Sequence, residues 1–291
     1  MAKKRTPFQP KGTSTKYVPN TPPRPRPKLG PILLGGGLLY LTATYVSMVV
    51  FKSKNDTTDP KPKVQAVTPS RFDTSPVWER VAKNYDKEIG WDELVMGIGI
   101  MRRWLVGQAK GDVLEVSTGT GRNFAYYKPD QVDSVTFTDC HSSMLNEAKS
   151  KFEGYKDQFH KTFVNFSQVD VDQSTAIKEK YDTVIDTFGL CSCSDPANAL
   201  ITMAESCKSE ESRILLLEHG RSYYDWLNRL LDSNVDKHVT RWGCWWNRDL
   251  IGLFEQEKVR EKLEIVKVSR WHFGTTCYII AKPKKQQTEN T

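Results

Sequence analysis

Seven short runs rich in β-branched and apolar residues follow one another after residue 71, at 113–116, 134–138, 163–169, 183–187, 213–218, 263–270 and 275–281. Stretches of helical character, at 76–88, 92–107, 121–127, 142–152, 196–208, 222–232 and 247–260, precede the first run or fill most of the intervals. Strands joined through helices pair in parallel, so this alternation predicts an α/β fold with a mostly parallel sheet and helices on both faces. The last two runs are the exception. Only a few residues, Gly274 among them, separate them. That is too short for a helical crossover, and the pair is expected to be antiparallel.

The first strand ends in LEVSTGTGRN, residues 114–123, which sets Gly119 and Gly121 two apart just beyond an apolar run. Glycine weakens regular structure, so such a pair marks a backbone that turns tightly or is approached closely. In open α/β sheets ligands bind beyond the carboxyl ends of the strands, and this loop lies at one of them. A dinucleotide fingerprint needs a third glycine where this chain has Phe124, and the Gly-Lys-Ser/Thr of a phosphate loop does not follow. What remains is an acidic residue, a glycine loop and a second acid after the next strand. Glu115, Gly119, Gly121 and Asp139 supply these, with Asp139 placed 24 residues beyond Glu115. The pattern suits an adenosine that carries no phosphates: Asp139 can accept hydrogen bonds from both ribose hydroxyls, and Asp170, after the third strand, from an adenine amino group. Together these strand ends point to S-adenosylmethionine.

EVSTGTG, the FTD ending at Asp139, the VD at Asp170 and YDTVIDTFGLCSCSDP resemble the class I S-adenosylmethionine-dependent methyltransferases. The resemblance is closer to the quinone C-methyltransferase-like subgroup, and in particular to fungal mitochondrial inner-membrane methyltransferase-like proteins with one N-terminal span. It runs from about Trp78 to Pro283 and includes WERVAKNYDKEI, LLLEHGRS and HFGTTCYIIAK. It implies a Rossmann-like seven-stranded sheet in the order 3-2-1-4-5-7-6 with the last strand antiparallel. It also implies a cofactor-binding set of Tyr85, Glu115, Ser117, Thr118, Gly119, Gly121, Asp139, Cys140, Asp170, Val171 and Asp186. Ser117 stands where the family usually carries glycine, which narrows the space beside the amino-acid part of the cofactor.

Methyl transfer from a sulfonium depends on in-line positioning, and a protein base is needed only for an acceptor that starts protonated. The candidates are His219 in LLLEHG and Asp186 in VIDTFGL. RWGCWWNRD, residues 241–249, concentrates Trp242, Trp245 and Trp246, which suit core packing, a membrane interface or an aromatic wall for a hydrophobic substrate. Cys191 and Cys193 form a C-x-C pair, but no second pair follows at zinc-finger spacing, so no metal site is expected.

Residues 1–63 carry 12 Lys and Arg against 2 Asp and Glu, leaving 30 against 33 for the rest, so the basic excess belongs to the N-terminal arm and no nucleic-acid groove is indicated. Residues 29–51 contain no charge over 23 positions, long enough for a transmembrane helix. The chain therefore divides into a basic, Pro-rich arm (1–28), a single span (29–51), a polar linker (52–70), the methyltransferase domain (71–283) and a polar tail (284–291). The charge bias keeps the arm on the positive-inside face. With the organelle taken from the resemblance, this places the arm in the matrix and the domain in the intermembrane space. A membrane-tethered domain favours a small or lipid-like methyl acceptor near the inner membrane, with inner-membrane proteins as further partners. A protein or RNA methyltransferase and a catalytically weak assembly factor are the alternatives.

Overall fold

The computed structural model describes residues 73–172 and 181–284. The expected arm, membrane helix and linker, and all of the polar tail but residue 284, lie outside them. Among the described residues, no helix is long and apolar enough to cross a membrane.

Seven strands form one sheet: β1 Gly111–Val116, β2 Val132–Asp139, β3 Phe163–Gln168, β4 Thr183–Thr187, β5 Arg213–His219, β6 Leu263–Trp271 and β7 Thr276–Pro283. Their order is β3-β2-β1-β4-β5-β7-β6. The first five are parallel, and β7 runs antiparallel to β5 and β6, as the sequence implied. β1 stands between β2 and β4, with Leu114 opposite Thr136 on one side and Val184 on the other. The chain leaves β1 toward one edge and returns at β4 toward the other, so the carboxyl ends of β1 and β4 form the switch point where such sheets bind ligands.

The strands alternate between two apolar faces. Val113, Val135, Phe137, Ile185, Leu215 and Leu217 pack on one side, against helices α3 (Ile98–Val106) and α4 (Ser142–Phe152). Leu114, Val116, Val184, Ile214, Leu216 and Ile279 pack on the other, against α5 (Pro196–Glu205) and α7 (Leu250–Glu255). Each such side chain contributes about 1.5–3 kcal/mol by leaving water. The sheet is thus a rigid base for the loops at its carboxyl ends.

The helices depart from the sequence expectation in five places. The stretch at 92–107 is interrupted at Met96 and Gly97, where Gly97 has a left-handed φ of 66°. The stretch at 76–88 is divided into α1 (Ser75–Val81) and α2 (Tyr85–Val95) by a 3₁₀ turn. The stretch at 121–127 forms only a 3₁₀ turn at Phe124–Tyr126, because the loop before it carries the glycines. Helix α6 (Asp225–Trp242) continues past 232 because Val239 extends the buried stripe of Leu227 and Leu231. The stretch at 247–260 breaks at Gln256, whose backbone is extended, to give α7 and α8 (Glu257–Arg260).

Candidate functional site

A cleft opens at the carboxyl ends of β1 to β4, with roughly 1090 Å³ of empty space including open solvent at its mouth. Tyr85, Ser117, Thr118, Gly119, Asp139, Cys140, Asp170 and Val171, all expected in the site, line it.

The two glycines after β1 serve different ends. Gly119 has a φ of 59°, and a Cβ there would meet nothing closer than the Ser117 carbonyl at 4.0 Å. Its N–H donates to Asp139 Oδ2 at 2.8 Å. Gly119 thus keeps the loop against the end of β2 and leaves the cleft open. Gly121 lies outside the lining, and a Cβ on it would fall 2.1 Å from Cε2 of the fully buried Phe124. Its glycine is a packing requirement.

At one end of the cleft stand three carboxylates. Asp139, 6% exposed, accepts from Gly119 and, through Oδ1, from the His141 N–H at 2.9 Å. Burial, followed by the neighbouring Asp172, pushes Asp170 up to about 6. Asp172, which sequence reasoning passed over, binds the N–H groups of Ser194 (2.7 Å) and Asp195 (3.0 Å) through Oδ2, while its buried Oδ1 has no hydrogen-bond partner among the described residues. The D-V-D alternation at 170–172 was the available signal.

At the other end, two arginines that the sequence did not reveal hold an acidic pair. Arg102 lines the cleft while 3% exposed; it binds Glu93 at 2.8 Å, Asn123 Oδ1 at 2.9 Å and Thr187 Oγ1 at 2.7 Å, and its Nε has no hydrogen-bond partner among the described residues. Arg122 binds Asp86 at 3.0 Å and Glu93 at 2.5 Å, and Lys151 also pairs with Asp86. Burial alone would raise Glu93, but Arg102 and Arg122 hold its carboxyl below the usual range.

Three further expected residues lie outside the lining. Glu115 is 1% exposed beneath the loop, where it accepts from Tyr127 Oη and from Asn123 Nδ2 at 3.2 Å. Burial pushes its carboxyl up to about 7 despite these bonds. Asp186 is fully buried; Oδ2 accepts from the Leu190 N–H at 3.0 Å and Oδ1 has no hydrogen-bond partner among the described residues. Burial, then the nearby Glu218, drives its carboxyl well upward. His219 turns Nδ1 toward Cys244 Sγ at 3.3 Å and packs its ring against Phe188, which does line the cleft.

Two residues on the cleft wall, Ser117 (φ 50°) and Phe188 (φ 61°), adopt left-handed backbone, a conformation costly for a side chain of either type. Of the three tryptophans at 242–246, Trp245 is core at 3% exposure, Trp246 stacks on His238, and Trp242 meets Tyr85 edge-on at 6.3 Å. The exposed aromatic residues lie elsewhere. Trp91 (70% exposed), Leu94, Ile100 and Trp104 project from α2 and α3, the helices that carry Tyr85 and Arg102. Trp104 meets Trp271 at 6.2 Å, and Phe273 meets Tyr224, itself stacked on Trp226.

Residues 93–263 match the family described as Methyltransferase domain. The chain is 37% identical over 232 residues to the mitochondrial methyltransferase OMS1 of Saccharomyces cerevisiae, covering 76% of this chain and 48% of that protein, so it spans about half the length of this relative. Among solved structures it is similar in fold to the DhpI–SAH complex (TM-score 0.51, 16% identity, 73% of this chain and 97% of that one). It is also similar in fold to the [4+2]-cyclase SpnF (TM-score 0.54, 13% identity, 75% and 96%). One fold thus carries different chemistries.

Proposed function

This chain belongs to the methyltransferase-domain family and uses S-adenosylmethionine, and from that premise we propose that it methylates a small or lipid-like acceptor at the mitochondrial inner membrane. The cleft suits the donor. Asp172 Oδ1 and Arg102 Nε, an acceptor and a donor each without a hydrogen-bond partner among the described residues, suit the adenine amino group and the carboxylate of the donor. We assign Asp139 to the ribose hydroxyls, Asp170 and Asp172 to the adenine end, and Arg102 to the carboxylate. Val171 and Cys140 contribute wall contacts, while Glu115 and Gly121 act from beneath the loop.

The donor, when bound, supplies an electrophilic methyl group on a sulfonium. The chain's part is to hold an acceptor in line with it and to exclude water. Tyr85, Trp78, Phe188 and Cys193 form the wall available for this. Neither Asp186 nor His219 lines the cleft, so neither is assigned proton removal, and positioning is assigned the main catalytic role.

The exposed aromatic surface of α2 and α3 is the observation that favours a lipid-like acceptor, since tryptophan rings of this kind partition to the headgroup region of a bilayer. The uncharged segment 29–51 and the basic arm before it support a single span with the domain in the intermembrane space. The yeast relative supports the organelle. Incubating the full chain with methyl-labelled donor and mitochondrial membrane extract tests the reading: label in the organic phase supports it, and label confined to protein or RNA contradicts it. A second reading, a weakly binding assembly factor, is favoured by the strained Ser117 side chain on the cleft wall.

A further inference from the structure

The partner of Cys191 is not its neighbour in the C-x-C pair. Cys244, 53 residues along the chain, places its Sγ 2.9 Å from Cys191 Sγ, and His219 Nδ1 approaches Cys244 Sγ at 3.3 Å. One ligand atom from each of the three lies within 4.8 Å of the others. The residues come from three separate segments, the loop after β4, the last residue of β5 and the turn that follows α6. Both thiols are buried, at 1% and 4% exposure.

We propose that Cys191, His219 and Cys244 form a binding site for a thiophilic d10 metal ion, Zn²⁺ or Cu⁺. Two thiolates and an imidazole are the donor set such ions select over harder cations. Two sulfurs each about 2.3 Å from one ion stand roughly 3.5–4 Å apart, so loading the site widens the present pair by about 1 Å.

The surroundings are built to hold the donors in place. The Cys191 N–H and the Gly189 N–H donate to the buried Glu218 carboxylate at 3.4 and 3.2 Å. The Trp245 N–H donates to the Cys191 carbonyl at 2.9 Å, joining the two cysteine loops directly. Arg248 donates to the carbonyls of Cys191 and Cys193 and lies over the Trp245 ring at 5.0 Å. Positioning of this kind, outside the ligands themselves, is what a metal site requires. The metal would staple the loop after β4 to the turn after α6, and through the His219 ring it would support Phe188 on the cleft wall.

The test uses the full chain in detergent, stripped with chelator under thiol reductant and offered Zn²⁺ or Cu⁺ in separate arms. Metal retained through gel filtration is measured by mass spectrometry, and Co²⁺ in place of Zn²⁺ reads thiolate ligation by its charge-transfer absorption. The proposal expects about one equivalent of one of the two ions in the parent and in Cys207→Ser. It expects at least a ~10-fold weaker affinity in Cys244→Ser and His219→Gln, and a weakened thiolate-to-cobalt band in Cys244→Ser, where Cys191 alone supplies sulfur. Should Cys244→Ser fail to fold, His219→Gln, at a partly exposed position, carries the comparison. Failure of the parent to retain either ion, or equal retention in the ligand variants, overturns the site. So does a Cys191–Cys244 disulfide that forms without reductant in a protein that takes up no metal.

Discussion

The side chain of Ser117 occupies the space that a Cβ on Gly189 would need: the two carbons would lie 2.4 Å apart. The loops after β1 and β4 therefore meet through one side chain and one missing side chain, at the point where the sheet changes direction. Gly189→Ala is expected to destabilise the fold by about 1–3 kcal/mol, as overpacking does. Ser117→Gly in that background should recover only part of the loss, because the new Cβ would still lie 2.2 Å from Asp186 Oδ1. Denaturant unfolding of the two single variants and the double variant measures both.

The loop glycines are expected to separate binding from stability. Gly119→Ala places a side chain at a φ of 59° beside open cleft, costing about 1–2 kcal/mol of stability and weakening S-adenosylmethionine binding further by crowding the site. Gly121→Ala drives a methyl group into the Phe124 ring and is expected to cost more stability than Gly119→Ala. Calorimetric binding and thermal unfolding of both variants check the contrast.

Glu115 predicts a pH dependence. Its carboxyl is raised from 4.5 to about 7 in the fold, so the folded state holds the proton more tightly than the unfolded chain. The stability this contributes is fully present below about 4.5 and is lost as pH rises through about 7. Glu115→Gln keeps a neutral group there, so its stability relative to the parent should rise by roughly 3 kcal/mol between those limits. A constant difference across the range would contradict the buried protonated carboxyl.

The exposed aromatic surface predicts a defect in acceptor use alone. Replacing Trp91 and Trp104 with serine should raise the KM for a lipid-like acceptor several-fold while changing stability by less than ~0.5 kcal/mol at Trp91, which projects into solvent, and by about 0.5–1.5 kcal/mol at Trp104, whose ring meets Trp271. S-adenosylmethionine affinity should be unchanged. Steady-state kinetics with acceptor in vesicles and in detergent measures the first, and calorimetry the second.

The central strands were legible because they are short, mostly apolar runs buried on both faces, Val113 to Val116 broken only by Glu115 and Ile214 to Leu217 unbroken, whereas the edge strands β3 and β6 are half exposed and showed only in their β-branched and aromatic residues. Helix lengths were less so. Lys83 and Asn84 carry no mark of the 3₁₀ turn between α1 and α2, and Val239 reads as part of α6 only once its contacts are known. In the site, Asp139, Asp170 and Gly119 could be placed because strand ends fix their positions. Arg102 and Arg122 could not, since a basic residue on a helix or in a loop ordinarily faces water, and their pairing with Glu93 depends on how α2 and α3 meet the β1 loop. The Cys191–Cys244 pairing was hidden for the same reason, being made by segments far apart in the chain.

The central claim is that this cleft binds S-adenosylmethionine through Asp139. Calorimetric titration of the full chain with S-adenosylmethionine, beside Asp139→Ala, tests it most directly. The account predicts saturable binding by the parent and at least a ~10-fold loss in the variant, the cost of removing a charged hydrogen-bonding group. A folded parent that shows no binding, or a variant that binds equally well, would contradict it.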